Sequence, residues 1–183
     1  MLFFGRCKSQ RKPKSPNSGF VLSHLERIPL FLTMSENDFR ALVQRLYALQ
    51  AERMEAYRLF EEGHQAYLNT GPHYDFIQYR QLVHEITLAF NSISKEIIQM
   101  KDRFHEVYGR PDLSYHIEKI QEKEKEKLEL TARLQIAKQN VLDHPGVEAH
   151  PQEVQELKHK IIKIMDAISE ILQDFKYDSE EME

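Results

Sequence analysis

The stretch Asp75–Tyr108, DFIQYRQLVHEITLAFNSISKEIIQMKDRFHEVY, carries apolar residues at Phe76, Tyr79, Val83, Ile86, Phe90, Ile93, Ile97, Met100, Phe104 and Val107. Their spacings alternate between three and four without a miss. That period lines up one stripe on an α-helix, whereas a half-buried strand would alternate every second residue. The pattern predicts a helix of about nine turns, packed along its length on partner helices. Asp75 stands where a carboxylate accepts the free N–H groups of a first helical turn, and Gly109-Arg110-Pro111 stops the helix at its other end.

Upstream, Asn69-Thr70-Gly71-Pro72 closes an earlier helix whose apolar residues are Phe39, Leu42, Leu46, Leu49, Ala56, Phe60 and Tyr67. Ser35 with Asp38 three residues on resembles a capping box at its start. Downstream, a third helix is looser: Leu113, Ile117, Ile120, Leu128, Leu134 and Val141 form a face, but Glu124 and Lys127 fall where the stripe should continue. This predicts a wet middle. Asp143-His144-Pro145-Gly146 breaks it, and a fourth helix carries Val154, Leu157, Ile161, Ile164, Ile168, Ile171 and Phe175, widened by Ile162, Met165 and Leu172. Isoleucine at both seam positions and a widened stripe favour more than two packed helices.

The expected fold is all-α: an elongated antiparallel bundle, or coiled-coil-like hairpins, of four long helices at about 36–68, 76–108, 112–142 and 152–176 within a domain spanning 35–178. A basic, mostly disordered tail over 1–34 precedes it and an acidic end over 179–183 follows. An extended hairpin that completes its core as a homodimer is the alternative reading.

At 183 residues the chain suits one core, and it lacks the roughly 18 unbroken apolar residues of a membrane span. Cys7 is the single cysteine, so a disulfide scaffold is excluded and a reducing compartment, nucleus or cytoplasm, is expected. The first residues place charge after a short apolar run, the reverse of a secretory signal. Five basic residues lie within positions 1–14, so a formal net charge of −4 overall becomes −9 for positions 15–183. Such a body lacks the basic stripe of a nucleic-acid binder.

No nucleophile-base-acid constellation, Gly-rich phosphate loop or metal-ligand spacing stands out, so no catalytic residue, cofactor, metal or small-molecule substrate is assigned. The nine histidines include His144 and His150 beside Asp143 and Glu148, a spacing that matches no ligand pattern. His84 beside the seam reads as a packed, hydrogen-bonded histidine. Glu118–Lys127 carries four Glu and four Lys with no net charge and reads as a solvated face. Arg53 and Gly63 interrupt the first helix's stripe. Either the stripe rotates onto Met54, Tyr57, His64 and Leu68 and leaves Arg53 at the rim, or Arg53 is presented to an acidic partner. Tyrosine and arginine are favoured interface anchors, so Arg53, His64, Tyr67, Tyr74 and Tyr79 are the candidate partner-binding residues, against the alternative that the aromatics are core.

The block AERMEAYRLFEEGHQAYLNTGPHYDFIQYRQLVHEIT, Ala51–Thr87, resembles the heart of the Required for excision 1-B domain family, and LKHKIIKIMDAISEILQDFKYDSEE, Leu157–Glu181, resembles its C-terminal helix. The resemblance spans roughly residues 39–181 and is weakest in the third helix. It implies a helical domain connected with DNA excision repair and no catalytic residue or cofactor. Family-typical positions are Arg53, Glu61, Gly63, His64, Tyr67, Pro72, Tyr74, Phe76, Tyr79 and His84.

Two functions of different class follow. The first is a non-enzymatic helical adaptor that binds another protein. The second is an accessory protein that grips nucleic acid through its basic tail, which salt dependence would reveal. A structural coiled-coil protein unrelated to repair is the third reading.

Overall fold

The computed structural model describes residues 36–181, which form four α-helices: α1 (Glu36–Leu68), α2 (Phe76–Glu106), α3 (Pro111–Asp143) and α4 (Ala149–Glu180). Each helix runs antiparallel to the next, and no strand occurs among the described residues. The basic tail with Cys7, and Ser35, lie outside the described residues. α4 starts three residues before its expected bound and ends four after it. Pro151 does not prevent this, because in a first turn its missing N–H would have no intrahelical partner.

The helix ends follow from local chemistry. Asp75 Oδ1 accepts the Gln78 backbone N–H at 3.1 Å, which satisfies one of α2's free amides. Gly109 adopts φ +63°, a left-handed conformation that costs glycine little, and this lets the Arg110 N–H donate to Phe104 O at 2.8 Å. Pro111 then opens α3.

All four helices meet at one end of the bundle. There Phe39, Leu46 and Leu49 of α1 pack with Ile97, Met100 and Phe104 of α2, Leu113 and Ile117 of α3, and Phe175 of α4. Phe104 makes edge-to-face contacts with Phe39 and Phe175, each at 5.7 Å. The same end is tied by Arg110, which donates to Asp178 O at 2.6 Å, and by His116 Nε2, 2.7 Å from Asp178 Oδ2. Toward the other end the packing divides. Ala56, Phe60, Ile86 and Phe90 join α1 to α2, with Leu128 of α3 against them, while Leu134, Ala137 and Leu157 join α3 to α4.

Gly63 explains one interruption of the α1 stripe. A Cβ there would overlap Leu82 Cδ2, so the Leu82 side chain packs over the glycine and would have to shift to admit any larger residue.

Several expectations are corrected by the packing. Glu124 and Lys127 are 9% and 8% exposed, so the middle of α3 is buried rather than wet, and only the neighbouring charges form a solvated face. The charged run is neutral along the chain, but the charge of α1 that meets it comes from about 70 positions upstream. His84 is exposed rather than packed, since it stands one residue, about 100°, off the seam. Met54 also points outward, so the α1 stripe does not rotate onto it.

Candidate functional site

The α2 seam is covered from Ile86 to Phe104, but its first three members are not: Phe76 is 60% exposed, and Tyr79 and Val83 are half-buried. These residues form one wall of a groove of about 320 Å³. Ala132, Gln135, Ile136 and Gln139 of α3 form the other wall, and the buried Phe60 and His64 of α1 lie beneath. Ile136 is 63% exposed. The groove lies where α2 and α3 separate, on the face of α3 turned away from α4.

Two of its polar groups are spent inside the protein, and His64 Nδ1 is buried without a hydrogen-bond partner. Tyr79 OH donates to Gln135 Oε1 at 2.6 Å, and Gln135 Nε2 donates to Phe60 O at 3.4 Å. Burial pushes the Tyr79 hydroxyl up to about 12, so it remains a donor at neutral pH. Burial lowers His64 to about 4, which keeps its ring neutral. Arg80 is the one ionised side chain among the lining residues, and it pairs with no other described residue.

Behind the groove stands an aromatic stack. Tyr67 lies 4.5 Å from Tyr79 and 5.0 Å from Tyr74, ring centroid to centroid, and His64 lies 5.6 Å from Tyr79. Tyr74 OH donates to Asp143 Oδ1 at 2.6 Å. That bond holds the α1–α2 loop to the end of α3, and Lys138 pairs with Glu61 nearby. The stack therefore fixes the wall and floor of the groove.

Arg53 stands apart from this cluster in a buried polar layer. Only 2% exposed, it donates through Nη2 to Gln121 Oε1 at 2.8 Å and Ser94 Oγ at 3.2 Å, and its Nη1 lies 3.9 Å from Glu124 Oε1. Lys127 Nζ is 3.9 Å from Glu124 Oε2 and sits 3.9 Å over the centroid of the Tyr57 ring. Burial lowers the basicity of Arg53 and of Lys127, opposed in each case by the Glu124 carboxylate. Arg53 is thus neither at the rim nor presented outward: α2 and α3 supply its partners. Arg53 Nη1 and Glu124 Oε2 have no hydrogen-bond partner, and a small cavity of about 180 Å³ opens beside them.

Of the five candidate residues, His64 and Tyr79 line the groove, Tyr67 and Tyr74 brace it, and Arg53 lies in the polar layer. The spacing reading missed Ile136. Its signal was an apolar residue off the α3 stripe of Leu134 and Val141. A larger cleft of about 630 Å³ between α1 and α2 is lined mainly by polar and charged side chains, among them Arg45, which pairs with Glu96 at 2.7 Å and 2.9 Å. The groove is instead lined mainly by apolar and aromatic side chains, with Arg80 as its one ionised group.

Residues 41–138, which include the polar layer and both groove walls up to Lys138, match the family described as DNA repair REX1-B. A Bos taurus protein named "Required for excision 1-B domain-containing protein" is 40% identical over 146 residues, 79% of this chain and 78% of that one. A Mus musculus protein of the same name is 41% identical over 143 residues, 78% of this chain and 82% of its own length. On this match the chain belongs to the DNA repair REX1-B family.

Proposed function

We propose that this protein is a non-enzymatic adaptor of DNA excision repair, active in the nucleus, which docks another protein into the groove between α2 and α3. The observation that carries this reading is the α2 seam. Its three-four pattern runs on through Val83, Tyr79 and Phe76 after the neighbouring helices cease to cover it. Apolar surface held open by a braced framework is the common form of a docking site. Membership of the DNA repair REX1-B family supports the repair assignment.

The test replaces the native gene with one encoding Ile136→Asp, a change at an exposed position that leaves the core intact. Removal of DNA damage by excision is then compared with wild type and with a deletion. Repair reduced to the deletion level, with an unchanged melting temperature, supports the adaptor reading. Wild-type repair in the Ile136→Asp strain refutes it.

A further inference from the structure

The chemistry of the groove specifies its occupant, on the reading that the groove docks a protein. We propose that it receives two turns of an amphipathic α-helix from a partner protein, with two large apolar side chains three or four residues apart and an aspartate or glutamate that pairs with Arg80.

Length comes first. The lining runs from Phe76 to Val83 on α2 and from Ala132 to Gln139 on α3. Each span rises about 10 Å, two helical turns. An incoming helix of that length presents anchors at i and i+3 or i+4, the spacing by which helices fill grooves between helices. No sheet edge exists among the described residues to receive an extended strand.

Polarity comes second. Because Tyr79 OH and Gln135 Nε2 are already engaged, and His64 lies buried beneath with 2% of its surface exposed, the middle of the groove presents mainly carbon to its occupant. Backbone groups entering such a surface must bring their own hydrogen bonds. A helix does so, and irregular chain does not.

Charge comes third. Arg80 is the ionised group of the lining and has no partner among the described residues, in a chain whose positions 15–183 carry a net charge of −9. A guanidinium at the edge of an apolar groove selects a carboxylate and disfavours a lysine or arginine at the facing position.

The experiment uses the full chain as bait for a displayed library of randomised peptides on a helical framework, and then measures selected peptides by fluorescence anisotropy. Selected peptides are expected to carry two large apolar residues three or four apart beside an acidic residue. Arg80→Glu should weaken them at least about tenfold, and exchanging the peptide's acid for lysine should restore binding to Arg80→Glu alone. Ile136→Asp should abolish binding, with circular dichroism confirming the helical fold. Binding lost to Ile136→Asp but indifferent to Arg80→Glu overturns the acidic partner. Selected peptides indifferent to both substitutions, or no selected peptides at all, overturn the helix-in-groove proposal. The repair phenotype of Ile136→Asp decides the adaptor reading separately, since that assay does not depend on what shape the partner takes.

Discussion

Neutralising Glu124 should be among the most damaging single changes available to this bundle, even though the residue sits in a run of alternating charges. Glu124 is the one carboxylate between two buried cations, each 3.9 Å away. Unit charges about 4 Å apart attract by about 4 kcal/mol at an effective dielectric near 20, so Glu124→Gln removes two such attractions and leaves Arg53 and Lys127 facing each other. Relief from desolvating the carboxylate offsets part of this. Breaking a buried pair by removing one partner costs about 3–5 kcal/mol, and the long contacts here place the expectation near 3 kcal/mol. That is a large share of the 5–15 kcal/mol that holds a typical domain together. Urea melts of wild type, Glu124→Gln and the exposed neighbour Lys125→Asp measure it. Lys125→Asp should change stability by less than about 0.5 kcal/mol. The combined Arg53→Met, Glu124→Leu, Lys127→Met variant should recover most of the loss, because an apolar layer of similar volume often replaces a buried ionic one at no cost. Equal, small effects from Glu124→Gln and Lys125→Asp would refute a buried layer and restore the wet middle that the sequence pattern implies.

Three further outcomes are expected. His64 is neutral in the fold down to about pH 4, while an unfolded histidine takes up a proton near 6.5. The unfolded chain therefore binds more protons between those values, and stability falls as pH drops from 6.5, by at most about 2 kcal/mol at pH 5; His64→Gln should flatten that slope in thermal melts at stepped pH. Gly63→Val should cost about 1–3 kcal/mol by forcing Leu82 aside, and Leu82→Ala should recover part of that loss in the double variant. Residues 35–183 should bind no duplex DNA at micromolar concentration near physiological salt by fluorescence anisotropy. Salt-sensitive micromolar binding would favour the nucleic-acid reading instead.

The helices were legible because their signals are local. Gly-Pro at 71–72, Gly109-Arg110-Pro111 and Pro145-Gly146 punctuate the chain, and the three-four spacing between them includes every buried residue of α2 and of α4. What the pattern could not carry was which helix covers which part of a stripe. Phe76 and Ile97 occupy equivalent places in one period, yet one is open and the other fully buried, because coverage depends on where α2 and α3 separate. The polar layer was hidden for a similar reason. Arg53 looked like an interruption and Glu124 and Lys127 like solvated charges, since each was judged among its chain neighbours rather than across a gap of about 70 positions. The tyrosine cluster was found by composition. Its bracing role depends on Gln135 and Asp143, which no local spacing connects to it.

Whether this protein meets another at the α2/α3 groove can be read from a site-specific photocross-link. A photoreactive amino acid placed at Ile136, and separately at the also exposed Ile162 on α4, is activated in living cells, and the attached peptides are identified by mass spectrometry. Docking in the groove should give one dominant partner from position 136, cross-linked through a helical segment with an acidic flank, lost with Arg80→Glu, and absent from position 162. Partners captured from position 162 with none from position 136 would contradict it.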